Sequence, residues 1–175
     1  MSLSDEEYRN LHKFFDDWDN LDLGIETLEE KYSKCNFNEE IDKKYKNILL
    51  SYYQMREFNM DMFSLAQILK TKGYKLFILS DNNAKPVRYY HSIKLFDIFD
   101  GWIISSDYHA VKKDGKLFEI MLDEYNLKPE ECYFIDDNQE NVTAAKKYGI
   151  TGYVYNEKEN IDYLYKNMRE NGINI

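Results

Sequence analysis

"CYFIDDNQENVTAAKKYGI" (132–150) is the stretch that decides the fold. Tyr133, Phe134 and Ile135 form a short apolar run that reads as a strand over 132–136. Asp136 and Asp137 follow side by side, and Asn141 lies at the fourth position after the second aspartate. Residues 139–148 then carry a helical pattern that Gly149 stops. A strand that turns at once into a helix belongs to a βα unit. The two adjacent carboxylates at its end have two readings. They can be a turn with an N-cap for the next helix, or half of a divalent-cation site, where a metal neutralises like charges.

The same alternation extends in both directions. Upstream, Met62, Phe63, Leu65, Ala66 and Leu69 share one helical face, with Asp61 as the expected cap and Gly73 as the stop. "YKLFILS" (74–80) reads as a strand ending in the turn-rich loop "SDNNAKP", 89–99 as a helix, 101–106 as a strand and 115–127 as a helix. Downstream, 151–156 reads as a strand. The last helix uses Ile161, Leu164, Tyr165 and Met168 as its apolar stripe. Strands alternating with helices imply right-handed crossovers and a parallel sheet covered on both faces. Residues 1–58 show no strand pattern. They read as three to four helices: one with Tyr8, Leu11, His12 and Phe15 on a face, one over 25–32, and one starting at Asn38. The expected organisation is a helical cap module over 1–58 and an α/β core over 59–175, a Rossmann-like three-layer arrangement.

Bulk properties narrow the function classes. The net charge of −9 disfavours non-specific nucleic-acid binding and anionic membrane surfaces. No apolar run approaches the ~20 residues of a membrane span. Cys35 and Cys132 are too few for a disulfide framework or a zinc site, which fits a reduced, cytoplasmic protein. His12, His91 and His109 lack metal-ligand spacing.

In a parallel sheet the ligand crevice lies beyond the carboxyl ends of the strands. Three polar clusters fall there: Ser80 with Asn82, Lys112 with Lys113, and Asp136 with Asp137. One hydroxyl, ammonium groups and a carboxylate pair are the parts of a phosphate-and-Mg²⁺ site. Singly, each has an ordinary reading as turn, surface charge or cap.

Together, "FILSDNN", "SSDYHAVKKDGKLFEIML" and "CYFIDDNQENVTAAKKYGI" resemble motifs II, III and IV of the haloacid dehalogenase-like (HAD) superfamily, notably its sugar-phosphate phosphatases with a small helical cap. The resemblance implies phosphate binding by Ser80, Asn82 and Lys112, and Mg²⁺ held by Asp136 and Asp137 with Asn141 in support. It implies a Mg²⁺-dependent phosphatase acting on a small phosphorylated metabolite, as a monomer or homodimer. Three positions depart from the family pattern: Asp81 stands in place of Asn, His109 in place of Gly, and Lys113 in place of Pro.

Motif I is a larger departure. In the family it is a central strand ending in D-x-D, whose first aspartate is the nucleophile and whose second is the general acid/base. Asp17 and Asp19 in "FFDDWDNL" have the spacing but follow an amphipathic helix rather than a strand, so they are not assigned this role. No catalytic residue is therefore named, and the chain is expected to be inactive. The expectation is either a Mg²⁺-dependent phosphatase whose N-terminal strand is missing from this chain, or a non-catalytic phosphate- or protein-binding relic of the fold. Without the central strand, 75–79 and 132–135 would flank a slot roughly 10 Å wide, because neighbouring strands lie ~4.8 Å apart. Direct pairing of these two strands is the expected closure, with a strand from a partner chain as the alternative.

Overall fold

The computed structural model describes residues 5–156 and 158–175. The first part of the chain is helical: α1 (Asp5–Phe15), α2 (Asp19–Asp22), α3 (Leu28–Lys34) and α4 (Glu39–Leu50), followed by a 3-10 turn at Tyr52–Met55. Thr27 starts α3 with a reciprocal capping box, its side chain accepting from the Glu30 amide while the Glu30 carboxylate accepts from the Thr27 amide. Asn38 caps α4 as its sequence context suggested. The face of α1 is rotated from the expected one. Phe14 is fully buried, whereas Tyr8 and Phe15 are exposed. Phe14 anchors a cluster with Leu21, Leu28, Tyr32, Leu49 and Tyr53, against which Tyr89 and Tyr90 also pack.

The α/β part follows. Its elements are α5 (Met60–Thr71), β1 (Phe77–Ser80), α6 (Ala84–His91), β2 (Gly101–Ile104), α7 (Ser105–Tyr108), α8 (Lys116–Glu124), β3 (Tyr133–Asp136), α9 (Gln139–Lys147), β4 (Thr151–Val154) and α10 (Ile161–Glu170). Asn59, not Asp61, caps α5 through a bond from the Met62 amide. The helix expected over 89–99 is broken. α6 begins earlier, at the Asn83 cap, and closes at Ser92, whose hydroxyl donates to the Tyr89 carbonyl at 2.6 Å. A separate 3-10 turn covers Lys94–Ile98. The strand expected over 101–106 stops at Ile104, because Ser105 and Ser106 open α7.

Adjacent side chains on the strands face opposite layers. Tyr133, Ile135 and Leu76 pack with Leu65 and Leu69 of α5 and Leu164 and Met168 of α10. Phe134 and Leu79 pack on the other side with Phe118 of α8 and Ala144 and Ala145 of α9. This gives the expected helix–strand–helix layering.

The strands form two separate pairs. β1 runs parallel to β2 with Phe77 opposite Gly101, and β3 runs parallel to β4 with Tyr133 opposite Thr151. No ladder joins β1 to β3 among the described residues, so the expected direct pairing does not occur. That expectation assumed edges sealed in the core, where unpaired amides and carbonyls are costly. All four residues of β1 and the first three of β3 are instead only half-buried. Lys112 also sits between the two strand ends and binds residues on both sides.

Candidate functional site

Lys112 is the hub of the site. Val111 is extended, and Lys112–Asp114 forms a 3-10 turn ending at Gly115, whose φ of 90° is left-handed. The turn aims the Lys112 backbone and side chain in different directions. Its N–H donates to Asp81 Oδ1 at 2.9 Å, just past β1. Its Nζ donates to Asp136 Oδ2 at 2.6 Å, at the end of β3. Both side chains of this ion pair are largely buried. The other Asp136 oxygen, Oδ1, accepts from the Asn138 amide at 2.9 Å and from Asn141 Nδ2 at 3.0 Å. Asn141 is buried on α9, one turn from the strand end, so the spacing noted in the sequence brings it back onto Asp136.

Ser80 ends β1 half-buried, and its hydroxyl makes only a long 3.5 Å contact to the Asp81 carbonyl. The hydroxyl is therefore free to serve a ligand. Asn82 is more committed. Its amide donates to Ser105 Oγ at 2.9 Å, and its side-chain oxygen accepts from the Asn83 amide at 2.9 Å. Asp137 is exposed beside the buried Asp136, and Lys113 is also exposed. The structure thus brings together Ser80, Asn82, Lys112, Asp136 and Asn141 and leaves Asp137 at the rim.

Several contributors were missed by sequence reading. Fully buried Ser105 donates from Oγ to the Asp22 carbonyl at 2.5 Å, tying the helical part to the end of β2. His109, left-handed at φ 50°, places Nδ1 2.7 Å from the Leu23 carbonyl. These bonds carry the Asp22 carboxyl over the strand ends. Burial pushes its pKa up to about 6, Asp81 and Asp19 push the same way, and Lys112 opposes them. Burial also raises Asp81, while the Lys112 amide and ammonium hold it down. Asp22, Asp81 and Asn82 line a cleft of about 230 Å³ with Trp18, Tyr52, Arg56, Pro86 and Tyr90. The one sequence signal for this loop was Gly24. Its φ is +66°, and a Cβ there would lie 2.3 Å from the Ser106 carbonyl oxygen. Asp17 lies elsewhere, in a separate polar cavity with Lys13, Lys31 and Lys34.

The resemblance implied Mg²⁺, and the residues can be tested against it. Among the described residues no group of three or more His, Cys, Asp or Glu side chains is placed to hold a metal. Both oxygens of Asp136 already accept from protein donors, one of them the Lys112 ammonium. As arranged, Lys112 supplies positive charge beside Asp136, and Asp136 with the exposed Asp137 offers only part of a Mg²⁺ shell.

A family model described as haloacid dehalogenase-like hydrolase matches residues 12–149. Among curated proteins, the chain is 23% identical over 151 residues to (S)-2-haloacid dehalogenase 4A of Burkholderia cepacia, covering 86% of this chain and 63% of that protein. It is 32% identical over 105 residues to the glyceraldehyde 3-phosphate phosphatase of Pyrococcus furiosus, covering 56% of this chain and 42% of that protein. The chain therefore spans less than two thirds of the length of either relative. Among solved structures, a HAD family enzyme of Bacteroides thetaiotaomicron in complex with magnesium and inorganic phosphate superposes with a TM-score of 0.70 at 18% identity, over 91% of this chain and 88% of that one. A HAD-like hydrolase of Porphyromonas gingivalis does so with a TM-score of 0.70 at 23% identity, over 94% and 89%. The fold, the family match and the three strand-end clusters agree: the chain belongs to the haloacid dehalogenase-like hydrolases.

Proposed function

We propose that this chain binds a small phosphorylated metabolite at the strand ends and does not hydrolyse it by itself. The observation that carries this reading is the position of Lys112. It draws the ends of β1 and β3 together beside the free Ser80 hydroxyl, while among the described residues no strand lies between them to present a nucleophilic carboxylate. Ser80 and Lys112 take the phosphoryl oxygens, with Asn82 positioning the loop. Residues 1–58 act as the cap over the core of 59–175. The organic part of the ligand lies in the cleft of Trp18, Tyr52, Arg56 and Tyr90, where Asp22, protonated below about pH 6, donates a hydrogen bond.

Relatives described as phosphatases and a solved neighbour holding magnesium and phosphate support the phosphoryl ligand. The net charge of −9 favours a small ligand over nucleic acid or an anionic membrane. Among the described residues no helix is long and apolar enough to cross a membrane. We place the chain in the cytoplasm as a monomer or homodimer. Mg²⁺ binding at Asp136 and Asp137, with Asn141 behind them, is weak, because the cation must displace the Lys112 ammonium and fill most of its shell with water. Calorimetry at neutral pH is expected to give an affinity on the order of millimolar. A micromolar value would contradict it.

Titration with inorganic phosphate, followed by ³¹P NMR, tests the ligand reading. Binding is expected for the wild type, with a loss of about tenfold or more in Lys112→Met and a smaller loss in Ser80→Ala. No binding to the wild type, or equal binding to all three proteins, would overturn it.

A further inference from the structure

Two charged side chains outside the strand-end site are buried, and both line one cavity of the helical part. Lys31 of α3 is 6% exposed, and Glu26, just before the Thr27 cap, is 7% exposed. The cavity measures about 530 Å³, within the size range of small-molecule sites. Neither charge is fully matched by the protein. The Lys31 ammonium donates to the Asp16 carbonyl and, at 3.2 Å, to the Asp17 carbonyl, so two of its three N–H groups are used and both acceptors are uncharged. The Trp18 ring lies 5.9 Å from it. Among the described residues Lys31 pairs with no carboxylate. Glu26 Oε1 is buried and accepts no hydrogen bond of ordinary geometry. The Lys34 ammonium stands 2.6 Å from it, on an arm that is 72% exposed.

A lysine that only capped the end of α1 could reach those carbonyls from the surface. Burying its ammonium gives up hydration that two neutral carbonyls return only in part. The same holds for a buried carboxylate met by one solvated arm. The two buried charges also share a neighbour. Cys35 donates from Sγ to the Lys31 carbonyl at 3.4 Å. Burial pushes its thiol pKa up, Lys31 and Lys13 pull it down, and Glu26 and Asp16 push it up, so one small group feels both signs at once. With Lys34 and Asp17 the cavity carries three ammonium groups and three carboxylates. A simple anion would satisfy Lys31 and leave Glu26, and a simple cation would do the reverse. A ligand with one charge of each sign on a single carbon satisfies both, and an α-amino acid is such a ligand. Asn20 and Asn36 line the same cavity, and their amide groups suit a polar, uncharged side chain.

We propose that this cavity is a second ligand site, for a free α-amino acid with a polar, uncharged side chain. The ligand carboxylate accepts from Lys31 and Lys13, and its ammonium donates to Glu26 and Asp17. The site is separate from the strand-end cleft. Asp17 and Asn20 line the cavity, whereas Trp18 and Asp22 of the same segment line the cleft. The inference rests on the two buried charges and stands whether or not phosphate binds at the strand ends.

Isothermal titration calorimetry of the whole chain at neutral pH, with L-serine, L-threonine, L-asparagine and L-glutamine in turn, tests it. At least one is expected to bind, one per chain, with a Kd of about 1 mM or tighter. Acetylating the amino group or amidating the carboxyl group of that amino acid removes one charge and is expected to weaken binding by about tenfold or more. Lys13→Ala and Glu26→Gln are expected to weaken it by a similar factor. Lys13 is exposed, so its variant keeps the test decisive where Glu26→Gln does not fold. Inorganic phosphate is expected not to displace the amino acid. Four results would overturn the proposal: no binding of any of the four, equal binding of the blocked forms, wild-type affinity in Lys13→Ala, or displacement by phosphate. Phosphate binding followed by ³¹P NMR in the same samples separates failure of this site from failure of the strand-end site.

Discussion

Lys112 carries the site because one residue satisfies a carboxylate at each strand end. The Lys112–Asp136 side chains are 12% and 6% exposed, so removing the ammonium leaves a buried carboxylate with only the Asn138 amide and Asn141 as donors. Lys112→Met is expected to cost about 3–5 kcal/mol in urea unfolding at neutral pH. Adding Asp136→Asn should recover more than half of that loss, and no recovery would mean that charge pairing is not what holds the loop. Asp22 gives a pH signature. Its folded pKa of about 6 lies above the ordinary value of 3.8, so the folded state retains this proton more tightly than the unfolded chain does. The associated destabilisation is absent below the unfolded pKa, grows as pH rises from about 4 to 6, and is complete above that. Asp22→Asn should therefore match the wild type near pH 4 and exceed it by roughly 1 kcal/mol at pH 7–8, a value reduced for the solvent that still reaches the group. Equal stability of the two proteins across that range would refute the assignment.

At the scale of elements, the joint between the helical part and the strand ends depends on the Asp22–Gly24 loop. Ser105 and His109 hold its carbonyls, and Gly24 passes the Ser106 carbonyl too closely for any side chain. Gly24→Ala is expected to destabilise by about 1–3 kcal/mol and to weaken phosphate binding, through left-handed strain and a displaced loop. Wild-type stability and binding in that variant would show that the loop does not position the cleft. This joint was the least legible part of the sequence. Ser80, Lys112, Asp136 and Asn141 could be placed because each follows a strand at a fixed spacing. Asp22 could not, because its role comes from Ser105 and His109, more than 80 residues away in sequence. The strands and most helices were readable from their apolar periods. The face of α1 was not, since Phe14 and Phe15 are adjacent and only packing chooses between them. The break at Ser92 was also hidden, because a hydroxyl bonding back to its own helix leaves no apolar signal.

For the whole molecule, the expected closure of the sheet failed for a physical reason. The argument treated the inner edges as buried, whereas β1 and most of β3 are only half-buried and Lys112 bonds to a residue at each strand end. The layers survive because the helices pack on each strand pair, and Leu79 links the clusters around Phe118 and Ile103. The resulting site has a lysine, a free hydroxyl and several carboxylates. Those carboxylates are spent on holding the loop or stand at the cleft, and none is presented by a strand between β1 and β3 among the described residues. Steady-state hydrolysis of para-nitrophenyl phosphate by this chain, with and without Mg²⁺ between about pH 5 and 8, tests that account most directly. The account predicts no turnover above buffer and no difference between the wild type and Lys112→Met. Mg²⁺-dependent turnover that disappears in Asp17→Asn or Asp22→Asn would contradict it, because a carboxylate of the helical part would then be acting as the nucleophile or proton donor of a working phosphatase.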